Sequence, residues 1–77
     1  MNLVQCRMAR GALDWSTRQL AAAAGIPTAR VTRFQIDQTA SDEDRRRMRG
    51  AFEKAGIIFV EENGEGPGVR LRKASAK

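Results

Sequence analysis

Apolar positions recur at helical spacing from the first residues. Leu3, Cys6, Ala9 and Leu13 share one face, with Arg7 and Arg10 interleaved, so the pattern predicts a helix from Leu3 to Leu13. Asp14-Trp15 interrupts it. Ser16 and Gln19 have capping-box spacing, in which the hydroxyl accepts from the first-turn backbone and the amide reaches back. The alanine-rich stretch Thr17 to Ala24 is a strong helix former. Gly25 suits the left-handed backbone of a C-terminal cap. Pro27 suits a helix start, where its missing N–H costs nothing. A third helix is predicted from Thr28 to Gln35, with Val31 and Phe34 inward, and Ile36 to Ala40 reads as a polar connection. Ser41 and Asp44 repeat the capping spacing, and Asp42, Glu43 and Asp44 suit the positive end of a helix dipole. That fourth helix is predicted to run to about Ala55, with Met48, Ala51, Phe52 and Ala55 as its stripe and Gly56 ending it.

The period then shifts towards alternation. Ile57 to Glu62 is rich in β-formers, residues 63–68 are dense in turn formers, and Val69 to Lys73 alternates. The expected fold is mainly α: four helices over residues 1–56, then a two-stranded β-hairpin over 57–73, with a frayed tail at 74–77. The hairpin carries more apolar residues than one face of so small a domain needs. Ile58, Val60, Val69 and Leu71 are therefore expected at a homodimer interface, because an exposed apolar edge strand invites pairing. A DNA-touching wing bearing Arg70 and Arg72 is the other role open to it.

Composition narrows the function. A chain of 77 residues is one domain, and its core is thin, so a staple is expected. With no His and one Cys, neither a structural zinc site nor an internal disulfide can be built. A partner subunit remains. The net charge of +5, mostly arginine, suits phosphate. No apolar run is long enough to span a bilayer, and the opening residues lack the form of a signal peptide. A cytoplasmic protein with reduced Cys6 is expected. The usual acid–base and metal residues are missing, so an enzyme is not expected, nor a cofactor or a small-molecule effector.

Ser16 to Gln35 carries the functional reading. Two short helices meet at a glycine-containing turn, with small Ala21 where they touch and apolar Leu20, Ile26, Val31 and Phe34 holding the second helix down. This stretch, with Gln5-Cys6-Arg7, Ala9-Arg10 and residues 64–73, resembles the XRE family of phage-repressor-like helix-turn-helix regulators. The resemblance implies a lambda-repressor-like fold and a bacterial or phage-encoded, nucleoid-associated protein. It implies that Thr28, Ala29 and Arg30 face base edges, with Thr32 and Arg33 nearby. It also implies that Ser16 and Thr17, with Arg18 and Pro27, sit against phosphate, which agrees with the affinity of helix N-termini for anions. Arginine to guanine is the commonest specific base contact, so Arg30 is the leading expected reader.

The chain departs from the family in three places. Gln35 stands where the family usually has Glu, so its pairing with Arg10 is reduced to a hydrogen bond. Pro27 replaces a Ser or Thr that would donate to phosphate. The stretch from Asp37 to Asp44 is acidic where relatives are often basic. Other readings are structural. Trp15 is expected to pack over the helix junction rather than stack on a base, and Cys6 to act as a small buried hydrophobe. Arg45, Arg46, Arg47 and Arg49 follow three acids, and Asp42–Arg46 and Glu43–Arg47 have favourable ion-pair spacing, so most of that run is expected to be a salt-bridged surface. Glu61, Glu62 and Glu65 read as a negative turn.

The expected function is a sequence-specific transcriptional regulator, a repressor by default, binding double-stranded DNA as a homodimer on an inverted repeat. Two rivals stand beside it. One is a protein-interaction module of antitoxin or antiactivator type on the same scaffold. The other is a non-specific nucleic-acid binder.

Overall fold

A computed structural model describes residues 1–61 and 64–72. The protein is mainly helical: α1 (Leu3–Leu13), α2 (Thr17–Ala24), α3 (Thr28–Asp37) and α4 (Asp42–Lys54), followed by strands β1 (Ile57–Val60) and β2 (Gly68–Leu71). None of the described helices is long and apolar enough to cross a membrane.

The helix starts follow from side-chain chemistry. Asn2 and Ser16 each accept from a backbone N–H three residues on, and Gln5 and Gln19 reach back, closing a capping box on α1 and on α2. Ser41 Oγ accepts from the Asp44 N–H at 3.0 Å and caps α4. Pro27 occupies the capping position of α3, one residue before the helix, and provides no side-chain cap. Its carbonyl accepts from the Arg30 N–H at 3.0 Å. At the other end of α2, Gly25 takes φ +73° and donates its N–H to the Ala21 carbonyl at 2.9 Å.

The third helix is longer than the sequence pattern predicts. Ile36 and Asp37 are helical rather than part of the connection, and Gln38 closes the helix in the left-handed conformation at φ 61°. Two guanidiniums make this extension possible. Arg7 donates to the Gln35 carbonyl at 3.3 Å and Arg45 to the Gln38 carbonyl at 2.9 Å, satisfying acceptors that a helix end leaves free.

One core holds all the elements. Leu20, Val31, Phe34, Met48, Phe52 and Ile57 are its largest fully buried side chains, with Cys6 among them. Trp15 stacks on Phe52 at a centroid distance of 5.6 Å, and Phe59 meets Phe52 edge-on at 6.2 Å. The strands pair antiparallel, with Ile57 opposite Leu71 and Phe59 opposite Val69. Alternation puts these four on the core side and Ile58, Val60 and Arg70 on the other. The hairpin thus belongs to the same core as residues 1–56. β1 stops at Val60 and Glu61 lies outside it; Glu62, Asn63, Lys73 and the tail 74–77 lie outside the described residues.

A buried amide seats the hairpin. Gln5 is 4% exposed, and its Nε2 donates to the carbonyls of Val60, at 3.0 Å, and of Gly68, at 3.1 Å. Those residues face each other across the sheet, so α1 ties both strands at once.

Candidate nucleic-acid interface

The surface of α3 follows from which residues it buries. Val31 and Phe34 are fully buried. At 3.6 residues per turn, the line opposite them runs through Ala29, Thr32, Arg33 and Ile36, all exposed. Thr28 and Arg30, also exposed, lie on the two flanks of that line. Thr28, Ala29, Thr32 and Arg33 therefore share one open surface, as the sequence reading expects of base-facing residues.

Arg30 is held differently. Its Nε lies 3.2 Å from Asp44 Oδ2, and this carboxylate is 9% exposed while the arginine side chain is 58% exposed. The pair closes one side of a notch of about 290 Å³ between α3 and the α3–α4 connection, which Ala29, Arg33, Thr39 and Ser41 also line. The leading reader expected from the sequence is thus anchored sideways to α4. Arg33 has no carboxylate within ion-pair distance among the described residues and stands on the outward line. Asp37 turns its carboxylate back onto the Thr39 N–H at 2.9 Å. Hydrogen bonds from Thr39 hold the Asp37 carboxyl below the usual carboxylate range.

The start of α2 joins the end of α3 through one amide. Gln35 accepts from Arg10 Nη1 at its Oε1, and its Nε2 donates to Thr17 Oγ1 at 2.8 Å. Arg10 Nε donates to the Trp15 carbonyl at 3.0 Å. The Arg10–Gln35 contact expected from the sequence is therefore present, and it extends to Thr17. Because Thr17 Oγ1 accepts here, its hydroxyl proton is left to donate outward. Arg7 and Arg10 both donate to uncharged oxygens, with no carboxylate within ion-pair distance among the described residues. Two uncompensated guanidiniums thus lie where α1, the first turn of α2 and the last turn of α3 converge. Exposed Ser16 and Arg18 lie on that same first turn.

Two of the four arginines of α4, Arg47 and Arg49, pair with acids of their own helix, fewer than the sequence reading expects. Glu43 and Arg47 form an ion pair at 3.0 Å, as does the Arg49–Glu53 pair, and Arg49 also reaches Glu61 at 3.7 Å. Arg45 lies over the Phe34 ring and Arg49 over the Phe59 ring, at 5.2 and 4.8 Å from the centroids. Asp42 and Arg46, expected to pair, form no ion pair among the described residues.

The four residues expected at a dimer interface split between faces. Ile58, 37% exposed, and half-buried Val60 lie on the outer face of the sheet. Half-buried Val69 packs against the core, and Leu71, 51% exposed, lies on that same inner side. Cys6 is fully buried, and burial pushes its thiol up to about 11 despite the opposing pull of Arg10 and Arg7.

Three residues of consequence escape the sequence reading. Gln5 looks like a polar residue on a helix surface, Asp44 like one of three dipole-matched acids, and Ile36 like the start of a loop. Only the Gln5 position carries a local signal, as the return partner of Asn2 in a capping box. Compared with known proteins, the chain matches no protein-family model and no curated sequence.

Proposed function

We propose that this protein is a sequence-specific, duplex-DNA-binding transcriptional regulator with a lambda-repressor-like helix-turn-helix, in which α2 lies against the phosphate backbone and α3 enters the major groove. One observation carries the reading: the open line of α3 stands beside a converging set of helix N-terminus, hydroxyls and two arginines that have no counter-ion among the described residues. Groove reading needs a projecting helix with mixed polar and methyl-bearing side chains, and positioning needs cations and N–H groups beside it.

In this arrangement Ser16, Thr17 and Arg18 take phosphate, with Arg7 and Arg10 behind them. Arg33 is the leading base reader, with Thr28, Ala29 and Thr32 around it. Arg30, anchored by Asp44, works from the flank, and Pro27 only shapes the entry to the helix. A homodimer joined through the hairpin would set two such helices in successive major grooves, about one helical turn apart, and cover a promoter as a repressor.

Selection from a random duplex pool at near-physiological salt tests this reading. An enriched inverted repeat is the expected result. Salt-sensitive binding without sequence enrichment would replace it with general nucleic-acid binding. No binding by the folded protein would point to a protein partner instead.

A further inference from the structure

Ile36 is 78% exposed, more than any other large apolar residue among the described ones. Single exposed apolar side chains are ordinary on protein surfaces; the position of this one is not. It is the only large exposed hydrophobe on α2, α3 or α4. It also lies on the outward line of α3, close to two turns beyond Ala29, with Thr32 and Arg33 between them. That line therefore begins and ends with a methyl-bearing apolar side chain and is polar in the middle.

The end of α3 is also prepared to approach a polyanion. Its terminal carbonyls would repel phosphate, yet Arg7 and Arg45 donate to two of them. The neighbouring Gln35 ties this end to Thr17 at the start of α2, where the candidate phosphate site lies. A backbone held there brings the last turn of α3, and not its first turn alone, close to the groove.

We propose that Ile36 and Ala29 read thymine. Each contacts the C5-methyl group of one thymine, while Thr32 and Arg33 read the bases between. Seven residues at 1.5 Å rise span about 10 Å, which is about three base steps at 3.4 Å each. The half-site therefore carries two thymines about three steps apart. This inference rests on the duplex-binding reading above.

The test runs the full chain against two random duplex pools, one made with thymidine and one with deoxyuridine, which lacks only the methyl group. The thymidine pool yields a motif with thymines at the stated spacing, and deoxyuridine at either position weakens binding about fourfold, the worth of one buried methyl group. Ile36→Ala removes the preference at one of the two positions only, Ile36→Val keeps it, and melting of both variants matches the parent. A motif bound equally well with deoxyuridine, or a preference unchanged in Ile36→Ala, overturns the inference and leaves the regulator reading standing. A folded protein that enriches no motif from either pool overturns both.

Discussion

Gln35 sits between a donor and an acceptor, taking a hydrogen bond from Arg10 and giving one to Thr17. Gln35→Glu keeps both contacts if the Thr17 hydroxyl reverses, and it adds a counter-charge to Arg10. Stability should rise by about 1 kcal/mol, while duplex affinity should fall, because the hydroxyl proton turns inward and the local charge drops by one. Thermal melting and a binding isotherm on one duplex check the two opposite signs; a change of the same sign in both would disprove the arrangement. Gln5 gives a purely structural counterpart. Gln5→Leu removes the donor to the Val60 and Gly68 carbonyls and should cost about 1–3 kcal/mol, read by urea unfolding.

Cys6 gives a pH test at the same scale. Its folded thiol is raised from 9.0 to about 11 by burial, so folding favours the neutral form. The stability this provides is full below about pH 9 and is lost as pH rises towards 11, at most about 3 kcal/mol. Cys6→Ala should flatten that alkaline slope relative to the parent when unfolding is followed from pH 8 to 11. An identical slope in both proteins would remove Cys6 from the account.

At the scale of elements, the left-handed caps decide where helices stop. Gly25 has φ +73°, and a Cβ there would meet only Arg47 Nη1, at 3.6 Å. The cost of Gly25→Ala is therefore conformational rather than steric, about 1 kcal/mol. Gln38 adopts φ 61° without being glycine, and its role as acceptor for Arg45 uses only the backbone carbonyl. Gln38→Gly should therefore stabilise the protein by up to about 1 kcal/mol, visible as a raised Tm. A lowered Tm would mean that the glutamine side chain contributes, although it forms no hydrogen bond among the described residues. The starts of α2 and α4 and the cap at Gly25 were legible in the sequence, because each rests on a serine or glycine acting within one turn, whereas the Asn2 cap of α1 was not read. The extension of α3 through Ile36 and Asp37 was not, because Arg7 and Arg45, from two other helices, satisfy its last carbonyls.

At the scale of the molecule, the hairpin is structural before it is anything else. Ile57 and Phe59 are in the core, 1% and 9% exposed, and Gln5 binds both strands. Deletion from Ile57 onward should abolish cooperative unfolding rather than release a folded monomer, since losing one buried Phe alone costs about 3–5 kcal/mol. The proposed dimer is better tested on the outer face. Ile58→Lys should give a folded monomer in sedimentation, and a variant that still sediments as a dimer would move the interface elsewhere.

The sequence alone determined the four helices, the hairpin and the core stripes, because caps, glycines and apolar periodicity act over a few residues. It also marked α3 as a surface of interest through its pattern with α2. Tertiary structure decided what the arginines do. Arg30 is drawn to Asp44, Arg45 and Arg49 lie over rings, and Arg7 and Arg10 have no counter-ion among the described residues. Each of these outcomes depends on groups from different helices meeting at ion-pair or hydrogen-bond distance, and a long flexible cation has several partners within reach until the chain is folded.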